Sequence, residues 1–249
     1  MRACLTVLIA LSVLFCTSAH AESANDLLAR SIAHHDPQGV WSTGRFELSL
    51  ETVYSDMLAE ERGIKESTAS VWLAPGHGEF RCVLRRNGND IEYRVLGEET
   101  TTLLNGSAEI SDEDRESLRL ADPAMYRDYF EYLWGMPMKL HDPGTIMDPV
   151  VRESEFDDRA ALVIRVTYDP EVGSDVWDFF FDPETAELIG YRFFHDEAAN
   201  DGEFIVFEGE VHDTASGLRL PSERAWYYND GRGHLATDTL TELVVSGGE

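Results

Sequence analysis

Cysteine, lysine and long apolar runs are all scarce in this chain, and each scarcity removes a class of protein. Of its three cysteines, Cys4 and Cys16 fall in the first 21 residues and only Cys82 lies beyond them. A chain left with one thiol has no internal disulfide, so its stability must come from a packed core. Cys82 alternates with Phe80 and Leu84 and reads as a buried structural thiol rather than a nucleophile. Lys65 and Lys139 are the only lysines, and 20 basic residues face 47 acidic ones for a formal net charge of -27. Such a field makes nucleic acid and anionic membrane poor partners, since both need clustered cations. After residue 21 no segment approaches the roughly 20 apolar residues of a membrane-spanning helix. No Gly-x-Ser-x-Gly elbow, phosphate loop or helical zinc motif occurs, so the residues name neither a catalytic group nor a cofactor, and a non-enzyme is the leading reading, with enzymatic activity left open.

What is present begins with an address. Arg2, the apolar run from Leu5 to Phe15 and the small residues flanking His20 in Ala19-His20-Ala21 have the pattern of a signal peptide over residues 1–21, cleaved near Ala21. The expected destination is the periplasm or the exterior. Bulky Phe15 before Cys16 argues against lipid attachment.

Residues 22–249 read as one mainly β domain. Ser23 and Asp26 resemble a capping box for a helix over 23–35. Phe46, Leu48 and Leu50 alternate with Arg45, Glu47, Ser49 and Glu51, the pattern of a half-buried strand. Similar runs begin near Thr68, Glu79, Ile91 and Thr100, separated by turns such as Pro75-Gly76-His77-Gly78. Ser111 opens an acidic helix, and Asp122 with Pro123 caps a second one, so a helical insertion spans about 111–134. In that second helix Tyr126, Tyr129, Phe130, Leu133 and Trp134 form one stripe, and Gly135 and Pro137 stop it. Strand patterns resume from Val150 to Val245. The total is about eleven to twelve strands, more than a flat sheet commonly holds. The expected fold is therefore a single strongly curved antiparallel sheet, a half-barrel wrapped around a helical plug.

The turn Asp182-Pro183-Glu184-Thr185 between aromatic strands resembles the hairpin of the lipoprotein-carrier superfamily. That resemblance implies an exported half-barrel wrapped around helices and holding acyl chains. A broader resemblance, to an uncharacterised family of secreted bacterial proteins, is carried by several segments. They are His35-Asp36-Pro37 near Trp41, the run from Tyr132 to Leu140, Asp142-Pro143-Gly144-Thr145, Val166-Thr167-Tyr168-Asp169, Val172-Gly173-Ser174-Asp175 and Phe194-His195-Asp196-Glu197. It covers most of the chain after the leader and implies no activity.

Large aromatic residues recur in the strands with period two, so one sheet face is expected to be a greasy lining. The expected ligand is a lipid or other hydrophobic small molecule held between sheet and inserted helix. The candidate contacts are Tyr126, Tyr129, Phe130, Trp134, Met136, Trp177, Phe179, Phe181 and Tyr191. The alternative reading uses His-Asp pairs. His35-Asp36, His141-Asp142 and His195-Asp196 lie at element ends, where loops could gather them around a divalent metal for binding or hydrolysis. A third expectation is a protein partner within an envelope assembly.

Overall fold

The computed structural model describes residues 22–247, so the expected leader over 1–21 lies outside the described residues. An opening helix α1 (Ala24–His35) is capped by the Ser23 side chain, which accepts from the Asp26 amide. Five strands follow, joined in sequence: β1 (Arg45–Tyr54), β2 (Glu66–Ala74), β3 (Glu79–Arg86), β4 (Asn89–Leu96) and β5 (Glu99–Leu104). Between β1 and β2 sits a short helix α2 (Asp56–Arg62), capped by Ser55 and ended by Gly63 in the left-handed conformation. Two more helices, α3 (Asp112–Ser117) and α4 (Pro123–Trp134), lead into β6 (Thr145–Met147) and β7 (Arg152–Phe156). The chain then returns through β8 (Arg159–Tyr168), β9 (Val176–Phe181), β10 (Leu188–Asp196), β11 (Asp201–Asp213), β12 (Arg219–Tyr228) and β13 (His234–Ser246).

All thirteen strands join one antiparallel sheet in the order β5-β4-β3-β2-β1-β13-β12-β11-β10-β9-β8-β6, with β7 also on β8. The first and last strands meet at the centre, Phe46 opposite Val245 and Leu48 opposite Leu243. The segment carrying α3 and α4 therefore crosses from one sheet edge to the other. It crosses along a concave face, as α4 itself demonstrates. Its Tyr126 stacks on Tyr93 of β4 at 4.3 Å, while its Tyr132 meets Trp177 of β9 at 5.1 Å. Those strands are eight places apart in the sheet order, roughly 38 Å if the sheet were flat. Tyr126 and Tyr132 are only about 9 Å apart along the helix, so the sheet must bend around α4. It does not close, because β5 and β6 do not pair.

The expected curved sheet around a helix is thus what the chain forms. Two elements differ from expectation. Among the described residues, three-residue β6 raises the strand number to thirteen, and α2 occupies residues to which the sequence pattern assigns no element. Alternate residues separate the two faces: Phe179 and Phe181 enter the main core, while Phe180 stacks on Phe156 at 4.0 Å in a smaller convex cluster. Cys82 is wholly buried, and burial pushes its thiol up to about 12. Helix α1 buries Leu27 and Leu28, both 0 % exposed, in the main core.

Candidate functional site

The position of α4 decides where the concavity is filled and where it is open. The helix starts because the Asp122 carboxylate accepts the Ala124 amide at 2.7 Å and Pro123 supplies a preset φ in the first turn. It stops at Gly135, whose position has no room for a side chain: a Cβ there would stand 2.4 Å from the Glu131 carbonyl oxygen and 2.6 Å from the Trp41 ring. Phe130, Leu133 and Trp134 are buried against the sheet.

Over β8 to β11 the space is packed solid. Trp177 stacks on Phe193 at 4.5 Å and on Phe179 at 5.9 Å, and Tyr191 packs on Phe179 at 5.7 Å. Phe179, Phe181 and Tyr191 are 0 % exposed and Met136 is 2 % exposed. Over β1, β2, β3, β12 and β13 the helix stands off, leaving a cavity of about 400 Å³. Its roof is Met125, Tyr126, Tyr129, Phe130 and Trp134 of α4. Its floor is Leu50, Thr52 and Tyr54 of β1, Ser67 and Ala69 of β2, Leu84 of β3, Trp226 of β12 and Ala236 and Asp238 of β13. Helix α2 contributes Leu58 and Arg62 at the end where Tyr54, Arg86 and Glu203 also stand. Met125 and Tyr129, 56 % and 44 % exposed, both line this space.

Tyr126, Tyr129, Phe130 and Trp134, expected to contact a ligand, therefore line the cavity. Met136, Trp177, Phe179, Phe181 and Tyr191, expected to do the same, sit in the filled half. The missed residues are polar ones on the floor. The Asp238 carboxyl accepts the Thr52 hydroxyl at 2.6 Å and the Trp226 indole N–H at 2.8 Å. Burial outweighs these bonds and raises its pKa, and burial likewise raises that of Glu203. Opposite Asp238 across the β12–β13 ladder is Arg224, 1 % exposed, with its guanidinium 3.6 Å over the Trp134 ring and 5.1 Å from Phe207. Desolvation lowers its pKa, and its Nε and Nη1 have no hydrogen-bond partner among the described residues.

The His-Asp pairs are used locally. His35 is buried, with Nδ1 2.9 Å from the Arg219 carbonyl and Nε2 accepting the Leu188 amide at 2.9 Å. Asp36 accepts the Val40 and Trp41 amides at 2.8 and 2.9 Å. Asp142 pairs with Lys139, while His141 stands exposed beside it. His195 bonds Asp175 at 3.0 Å, and Asp196 accepts the Ala198 amide at 3.0 Å. Among the described residues no three His, Cys, Asp or Glu side chains come together as a metal would require. Both His35 nitrogens are occupied, so this pair offers no free donor.

A model of a family of unknown function (DUF6503) matches residues 4–243. The chain belongs to that family. This DUF6503 protein is similar to the crystal structure of a LolA superfamily protein from Nitrosomonas europaea. The two share 12 % identity over 90 % of this chain and 93 % of that one, with a TM-score of 0.49. It is also similar to a DUF1329 family protein from Desulfovibrio piger, at 12 % identity over 88 % of this chain and 90 % of that one, with a TM-score of 0.41. No curated protein matches this DUF6503 sequence. No helix among its described residues is long and apolar enough to cross a membrane.

Proposed function

We propose that this protein is an exported, non-enzymatic binding protein that holds a hydrophobic, lipid-like ligand between its sheet and α4. The observation that carries this reading is the cavity of about 400 Å³ roofed by the aromatic side of α4. That volume falls within the range of about 300–1,000 Å³ usual for small-ligand sites. A core helix with nothing to hold would seat its aromatic residues on the sheet, because each large ring gains from burial. Here Met125 and Tyr129 are left facing open space instead. The volume suits one acyl chain rather than a bundle of them. The leader pattern over 1–21 supports export to the periplasm or beyond, where such a carrier would meet lipids.

The test is direct. Protein purified without its leader is examined by native mass spectrometry and lipid extraction, then titrated with a fluorescent fatty-acyl probe. A co-purified amphiphile, or saturable probe binding displaced by unlabelled fatty acid, is the expected result. A protein that carries nothing and binds no probe is not a carrier of this kind.

A further inference from the structure

A buried guanidinium is stable only where acceptors or a carboxylate meet it. Arg224 is 1 % exposed, and its Nε and Nη1 meet neither among the described residues. Trp134 covers the face of the group at 3.6 Å, which leaves the in-plane N–H groups pointing past the ring. The carboxyl opposite it, Asp238, is engaged elsewhere, its oxygens accepting from Thr52 and Trp226. Tyr191 lies close enough for its phenol to feel the guanidinium charge, and its buried hydroxyl also has no partner. Trp134, Trp226 and Asp238 all line the cavity. Arg224 thus stands one side chain behind the inner wall, with unclaimed donors and a tyrosine hydroxyl beside it.

We propose that the ligand is a single-chain carboxylic acid that enters head first with its chain along Tyr126, Tyr129 and Phe130, and that the Trp134 ring, which lines the cavity and covers Arg224, turns aside so that the carboxylate meets Arg224 and the Tyr191 hydroxyl. The assignment rests on the hydrophobic-ligand reading of the cavity and adds the chemistry of the head. A carboxylate is the planar two-oxygen acceptor that a guanidinium edge matches. Burial raises the pKa of Asp238, which weakens the like charge that the incoming anion faces.

The experiment compares tetradecanoate with tetradecanol, which differ only at the head, by displacement of a neutral acyl probe. The wild-type protein is expected to prefer the acid by on the order of tenfold or more, as a charged hydrogen bond implies. Arg224→Met removes the cation at similar volume and is expected to bind acid and alcohol alike. Tyr191→Phe removes one oxygen only, so it keeps the test intact should Arg224→Met not fold; it is expected to lower the acid's advantage severalfold. Equal wild-type affinities, or an undiminished preference in both variants, overturn the head assignment and leave the hydrophobic site standing. A preference lost in Arg62→Gln but kept in Arg224→Met would seat the head beside α2 and overturns it too. Binding of neither compound overturns both readings.

Discussion

His35 shows how a single side chain ties the sequence to a pH response. Its neutral ring donates from Nδ1 to the Arg219 carbonyl and accepts at Nε2 from the Leu188 amide, joining α1 to β10 and β12. A second proton would turn Nε2 into a donor facing another donor. Burial accordingly lowers the pKa from 6.5 to about 4. Between those values the unfolded chain binds a proton that the folded one refuses, so stability is full above about pH 6.5 and is lost as pH falls toward 4. The size of the effect is on the order of 3 kcal/mol. The raised carboxyls Glu131, Glu203 and Asp238 act with the opposite sign as pH falls. The informative quantity is therefore the difference between wild type and His35→Gln. Wild-type melting temperature should fall more steeply from pH 7 to pH 4 than that of the variant, and parallel curves would show that His35 titrates normally.

At the scale of the element, α4 was the most legible part of the chain. Asp122-Pro123 marked its start, apolar steps of three and four its face, and Gly135 its end, all local signals that tertiary packing did not override. The long strands were legible for the same reason, while β6 is too short for alternation to register. Helix α2 carries a Ser55 cap and a Gly63 stop, yet it buries only Leu58, so its sequence holds no apolar stripe. The division of the concavity could not be read, since it depends on which strands α4 overlies. Nor could the floor, where Thr52 and Asp238 meet from positions far apart in sequence, with Arg224 behind them. That division makes a sharp prediction about two aromatic residues that looked equivalent as sequence. Tyr129→Ala should change stability by less than about 1 kcal/mol, because the ring faces the cavity, yet should weaken acyl-probe binding. Phe179→Ala, from the filled half, should cost about 3–5 kcal/mol in a denaturant titration. The reverse pattern would place the ligand under β9 and β10.

At the scale of the whole molecule, the formal net charge of -27 sets a repulsion that the fold must tolerate. Ion pairs such as Arg30–Glu22 and Arg45–Glu79 are solvent-exposed and offset little of it, since each contributes about 0–1 kcal/mol. Added salt acts on both, with opposite signs. It weakens the few exposed pairs, and it shortens the reach of repulsion among many acids from about 30 Å at 0.01 M to about 8 Å at 0.15 M. Because acids outnumber bases 47 to 20, the second effect dominates. The melting temperature should therefore rise as NaCl is taken from 0.01 to 0.15 M and level off beyond it, once screening is shorter than the spacing of surface acids. The chloride series, followed by circular dichroism at fixed pH, separates this from ligand effects if the protein is first delipidated. A melting temperature that stays level or falls over that range would mean that the local ion pairs, and not the overall acidic field, govern how charge bears on this fold.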